Sequence, residues 1–151
     1  MYLLSACLVG INCRYNGSST REQVLEELLR RGEALPLCPE VLGGLPTPRE
    51  SCEIKILHGE LRVLGLSGRD YTEAFRKGAR KTLAICRICG IKEAILQSRS
   101  PSCGYGSVYD GTFSGRLVKG MGITAALLER EGLRIYSEKE WLEKRKEEGY
   151  A

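Results

Sequence analysis

Tyr2-Leu3-Leu4-Ser5-Ala6-Cys7 is an apolar run that stops at Gly10, Asn12 and Asn16-Gly17, and its reading decides the fold. A short apolar run bounded by turn residues is a strand candidate of a buried sheet. Residues 20–31 that follow are helical in pattern, with Val24, Leu25, Leu28 and Leu29 on one face. Thr20 is the expected N-cap with Gln23 three residues on, and Gly32 the expected stop. Residues 34–38 form a second strand closed by Pro39.

The same alternation continues along the chain. An irregular loop is expected over 39–53, with Gly43-Gly44, Pro46 and Pro48, then a small hairpin of 53–57 and 61–64 around His58-Gly59. Helical periodicity runs through Ala74, Phe75, Ala79, Leu83 and Cys86 to Gly90. A strand at 93–96, a glycine- and serine-rich loop at 98–120, a helix at 124–131 and a strand at 133–136 come next. Ser137, with Glu140 at the third position, caps a charged last helix. Strands alternating with helices are the signature of βαβ units. The expectation is an α/β fold: a single domain over 1–151 with a mainly parallel open sheet and helices on both faces, Rossmann- or flavodoxin-like.

Composition narrows the function. A net charge of +4 with acids and bases interspersed is too mild to make nucleic acid the main partner. No apolar run approaches the ~18–20 residues of a membrane span. Leu4-Ser5-Ala6-Cys7 reads like a lipoprotein cleavage box, but no basic residue precedes it and its apolar stretch is far shorter than the ~7–15 residues of a signal core. Seven cysteines, an odd number, fit a reducing cytoplasm with thiols kept for metal or catalysis better than a disulfide scaffold.

In open parallel sheets, ligands bind at the carboxyl ends of the strands. Three cysteines fall at such ends: Cys7 after the first strand, Cys38 after the second, and Cys103 in the loop after Leu96. Three thiolates at one edge suit a [4Fe–4S] cluster with one open iron, or a catalytic zinc with an open position. The bland alternative is that they are small buried hydrophobes. Cys86 and Cys89 sit at the end of a helix, where the dipole does not favour a thiolate, so core packing is their better reading. Cys13 and Cys52 lie in loops, each a spare ligand, a disulfide half or an incidental thiol.

Polar neighbours sharpen the picture. Cys38-Pro39-Glu40 puts a carboxylate two residues from a candidate ligand, available as general acid or base. Ser100-Pro101-Ser102-Cys103-Gly104 puts the Ser102 hydroxyl next to another, with a loop serine bonding to backbone as the plain alternative. Arg49 is a candidate for holding an anionic or carbonyl group of a substrate. His58 is the only histidine, so histidine-activated serine or cysteine nucleophiles are poorly supported.

Five blocks carry a resemblance to a known family. They are Ser5-Ala6-Cys7-Leu8-Val9-Gly10, Arg14-Tyr15-Asn16-Gly17, the run from Cys38-Pro39-Glu40-Val41 to Pro48-Arg49, Ser100-Pro101-Ser102-Cys103-Gly104, and Tyr109-Asp110-Gly111-Thr112-Phe113. In order, they resemble the short thiouracil desulfidase family. The resemblance implies a [4Fe–4S] cluster on Cys7, Cys38 and Cys103, with one iron free for the sulfur of a thiocarbonyl. It implies non-redox removal of sulfur from 2-thiouracil or a related base or nucleotide, with catalytic roles for Glu40 and Ser102. Thiolated nucleotides within tRNA are a third reading, and without an added RNA-binding domain or strong basic tail free bases or nucleotides are favoured over it. Asn16 and Gln97 depart from the family pattern in the loops that would line the pocket, and Cys13 and Cys52 stand where the family usually has no cysteine, which argues against their being ligands. The competing function is an iron–sulfur or zinc binding module, a carrier or sensor without catalysis.

Overall fold

The computed structural model describes residues 1–149. In chain order its elements are β1 (Tyr2–Ser5), a 3₁₀ turn (Ala6–Val9), α1 (Gln23–Arg30), β2 (Ala34–Leu37), α2 (Pro39–Leu42), β3 (Cys52–Leu57) and β4 (Glu60–Gly65). They continue as α3 (Thr72–Cys89), β5 (Glu93–Leu96), β6 (Tyr105–Tyr109), β7 (Leu117–Met121), α4 (Ile123–Arg130), β8 (Arg134–Ser137) and α5 (Glu138–Glu147). Four strands form a parallel sheet in the order β2-β1-β5-β8, while β3-β4 and β6-β7 are separate antiparallel hairpins.

Strand side chains alternate between the two faces of this sheet. Leu3, Ala94, Leu96 and Ile135 pack with Leu83 and Cys86 of α3 and with Ala125 and Leu128 of α4. Leu4, Ile95 and Tyr136 pack on the other side with Leu25 and Leu28 of α1 and Trp141 of α5. Helices therefore cover both faces, as expected. Each fully buried leucine or isoleucine here contributes about 1.5–3 kcal/mol relative to exposure.

The expectations hold in outline and fail at particular ends. β1 stops at Ser5, and Cys7 lies in the 3₁₀ turn, which reverses at Gly10 with φ of 87°. Thr20 does not cap α1, which starts at Gln23 without a side-chain cap. Its amide instead donates to the Cys7 carbonyl (2.9 Å) and its hydroxyl points at Cys7 Sγ (3.9 Å), a tertiary partner taking the place of the local one. The loop over 39–53 contains α2, and the loop over 98–120 contains the β6-β7 hairpin. Cys86 is fully buried in the core, but Cys89 is exposed at the end of α3, so the pair is not one core unit. The His58-Gly59 turn forms as expected, with both residues at positive φ, and the Glu140 amide donates to Ser137 Oγ (3.1 Å).

Two contacts fix the loops around the sheet edge. Glu53 is buried and its Oε1 accepts from the amides of Gly111 (2.9 Å) and Phe113 (3.1 Å), tying the β6-β7 turn to β3. The short helix α2 lies directly against α3: a Cβ on Gly78 would fall on the Pro39 carbonyl, and one on Gly43 on the Ala74 carbonyl. In an exposed helix, alanine is favoured over glycine by about 1 kcal/mol. At Gly78 the sign reverses, because rigid backbone occupies the space. Gly78→Ala should lower the unfolding free energy by about 1–3 kcal/mol, as measured by chemical denaturation; a stabilised variant would refute the close approach.

Candidate metal centre at the strand edge

Three βα units deliver the cysteines. Cys7 sits in the turn after β1, where the Cys7 carbonyl takes the Thr20 amide and the Leu8 carbonyl the Glu22 amide (2.8 Å). Cys38 is the N-cap residue of α2, followed by Pro39 at the first helical position, where a missing N–H costs nothing. Cys103 is held by the loop after β5. There Ser100 Oγ accepts from the amides of both Ser102 and Cys103, each at 3.0 Å. The carbonyls of Pro101 and Ser102 take the amides of Ile123, Thr124 and Ala125, which fill the open N-terminus of α4. Gly122 is required there, since a Cβ would fall on the Ser102 carbonyl.

The thiols lie in the interior of the fold, with Cys38 partly exposed. Cys7 and Cys103 are each 5% exposed and Cys13 8%. Cys7 Sγ donates to Gln97 Oε1 at 2.8 Å, across the gap between β1 and β5. The Cys38 thiol lies 3.8 Å from the Cys13 carbonyl oxygen, which places the turn that carries Cys13 against Cys38. The bond from Cys38 pulls the Cys13 thiol down, but the bond to Cys7, burial and the Cys7 charge outweigh it and leave it at about 11. The Cys38 thiol is pushed far up, first by its bond with Cys13 and then by burial, against the Val41 amide. Burial pushes Cys103 up to about 12, with the Ser5 and Ser102 hydroxyls pulling the other way.

Glu40 and Arg49 flank the thiols as an ion pair, Arg49 Nη2 to Glu40 Oε2 at 3.1 Å, with side chains 16% and 5% exposed respectively. The same Nη2 donates to the Cys13 carbonyl (3.0 Å), while Nη1 donates to the Pro46 carbonyl (3.1 Å) and Thr47 Oγ1 (3.2 Å). Arg49 Nε is buried with no hydrogen-bond partner. Burial raises the Glu40 carboxyl above the usual carboxylate range, and the charge and hydrogen bond of Arg49 draw it part of the way back. Ser102 is 1% exposed; its hydroxyl pairs with Thr124 Oγ1 at 2.9 Å and stands beside the Cys103 sulfur.

The structure thus brings together Cys7, Cys38, Cys103, Glu40, Ser102 and Arg49, and it adds Cys13 and Gln97, which sequence pattern did not select. Cys52 sits close by, near Glu40 and Glu50, and burial above all pushes its thiol up to about 12. His58 lies in its hairpin turn, exposed. Among the described residues, no three His, Cys, Asp or Glu side chains close to the spacing that one metal ion needs. Zinc–sulfur bonds of about 2.3 Å would demand that spacing. Three soft thiols are the kind of donor set that an iron–sulfur group takes.

Fold and site define an α/β protein with a thiol-lined centre at the carboxyl edge of a parallel sheet. The family pattern described as 2-thiouracil desulfurase matches residues 2–140, and the chain belongs to that family. A Bacillus subtilis (strain 168) relative, "Uncharacterized protein YbbK", is 45% identical over 146 residues, covering 93% of this chain and 97% of its own length. A solved structure, the "[4Fe-4S]-dependent thiouracil desulfidase TudS", superposes with a TM-score of 0.86 at 44% identity, over 94% of this chain and 93% of that one. No helix among the described residues is long and apolar enough to cross a membrane.

The buried pair makes a direct prediction. Arg49→Met leaves a buried carboxylate and the Cys13 carbonyl without their donor, and should cost about 3 kcal/mol or more of stability in denaturant titrations. Adding Glu40→Gln to that variant should recover part of the loss. A double variant no more stable than Arg49→Met alone would remove the pair as the cause.

Proposed function

We propose that the chain is a [4Fe–4S]-dependent desulfidase that removes sulfur from a thiolated pyrimidine, 2-thiouracil or a related free base or nucleotide. Cys7, Cys38 and Cys103 hold the cluster. The observation that carries this reading is the convergence of three thiols from three βα units beside a buried carboxylate and a buried hydroxyl. A carrier or sensor needs only the thiols; Glu40, paired with Arg49 next to Cys38, is what favours chemistry.

With three protein thiolates, the bound cluster supplies one open iron, a Lewis acid suited to a soft thiocarbonyl sulfur. The overall change is non-redox: water supplies the oxygen of the new carbonyl and sulfur leaves as hydrogen sulfide. Proton movement falls to this chain's own residues. Burial lifts Glu40 toward the working range of a general acid–base, so it takes a proton from water and returns it to the leaving sulfur. Ser102 spends one hydrogen bond on Thr124 and, as a hydroxyl with one donor and two acceptor sites, keeps capacity to orient a substrate beside Cys103. Arg49 serves first as a positioning residue, holding the Glu40 carboxylate and the Cys13 main chain, with Nε as its one remaining donor for a substrate oxygen. A reducing cytoplasm is the location that goes with the same reading, because an odd set of seven cysteines suits thiols kept for metal better than a disulfide scaffold.

Protein reconstituted without oxygen should bind about four irons per chain and release sulfide from 2-thiouracil. A full cluster with no sulfide release from any thiolated pyrimidine would overturn the desulfidase reading. Glu40→Gln should keep its iron and lose about 100-fold or more of its turnover, measured as sulfide released; unchanged turnover would remove Glu40 from the proton transfers.

A further inference from the structure

The sulfur of Cys7 is met by side chains from two separate segments. Gln97 Oε1 takes the thiol proton at 2.8 Å, and the Thr20 hydroxyl points at the same sulfur from 3.9 Å. Both residues are held by their main chain at this end of the sheet. The Gln97 amide donates to the buried Ser5 Oγ (2.9 Å), and the Thr20 amide to the Cys7 carbonyl (2.9 Å). Cys38 differs, since its sulfur lies against main chain, 3.8 Å from the Cys13 carbonyl. Neither Gln97 nor Thr20 shares in the proton transfers assigned to Glu40 or the binding assigned to Ser102. A thiol that binds metal gives up its proton, so any hydrogen-bonding partner it then keeps must be a donor. A carboxamide can follow that change, because it carries an oxygen and an NH₂ on one carbon and a half-turn about its last bond exchanges them.

From this contact we infer that Gln97 is a positioning residue of the cluster. Its carboxamide donates an N–H to the Cys7 sulfur once that sulfur is on iron, and the Thr20 hydroxyl is the second donor. The inference rests on the proposed cluster. The Cys7 proton leaves to water as the thiolate binds, and Gln97 changes only which of its atoms faces the sulfur. Hydrogen bonds to the sulfurs are among the features that set the reduction potential of an iron–sulfur cluster. A donor draws negative charge off the sulfur, which favours the reduced, more negative form and raises the potential. The same withdrawal leaves the open iron with less charge and makes it a better acceptor for a thiocarbonyl sulfur.

Wild type, Gln97→Leu and Gln97→Lys are loaded with iron and sulfide without oxygen. The reduction potential is then read from the EPR signal of the reduced cluster during a dye-mediated titration. The first change keeps the bulk and removes every donor; the second offers donors and no acceptor. Gln97→Leu should take up about four irons and be reduced at a lower potential than wild type. It should also yield its iron to a chelator about tenfold or more faster. Gln97→Lys should be reduced at or above the wild-type potential. A Gln97→Leu protein with a full cluster and the wild-type potential would overturn the role of Gln97 while leaving the cluster in place. A Gln97→Lys protein reduced below the wild-type potential would overturn it too, whether or not Gln97→Leu holds iron. A wild type that takes up no four-iron cluster would overturn both readings.

Discussion

The position of β1 between β2 and β5 is the constraint on which the thiol site depends. The chain leaves β1, crosses one face through α1 to reach β2, and later returns past β1 to β5 by the other face. The two connections diverge at the carboxyl end of β1, and the crevice they leave there is where open α/β sheets bind ligands. Cys7 stands at the centre of that crevice, Cys38 on one side and the Gln97-to-Cys103 loop on the other. The 2.8 Å contact from Cys7 to Gln97 spans it.

A site this buried sets its own electrostatics. Burial opposes ionisation of Cys13, Cys38 and Cys103, and all three sit above their ordinary values even though Cys38 pulls Cys13 the other way. Arg49 is the cation held in direct contact with the site, and Glu40 already claims it. A bound metal group inverts that balance, because coordination strips the proton from a thiol outright. Metal-free and loaded forms of the chain therefore differ in proton content as well as in metal, and the affinity of the site for its group rises with pH.

The parallel core was legible because its strands are buried on both faces and read as plain apolar runs, as in Leu3-Leu4 and Ala94-Ile95-Leu96. The β6-β7 hairpin was not, since Val108 is the one buried residue of β6, β7 has none, and Gly106, Ser107 and Gly120 interrupt any alternating pattern. α2 escaped because four residues are too few to show a period. Thr20 followed a local capping rule that a tertiary partner overrode. At the site, the three cysteines and Glu40 could be picked from strand ends and spacing, and the family blocks pointed to Ser102. The nearness of Cys13 to Cys7 and Cys38 has no signature along the chain, because it arises from how the loop after β1 folds against α2 and Arg49.

The anchoring of Cys103 to α4 carries a consequence for the life of the molecule. Since the Ser100–Gly104 loop is held in shape by the amides of Ile123, Thr124 and Ala125, Cys103 is not in position until α4 has folded behind it. The thiol of Cys103 thus depends for its place on a helix that the chain reaches only some twenty residues later, and the proposed group, held by all three cysteines, would tie that late unit to the turn after β1 as a cross-link.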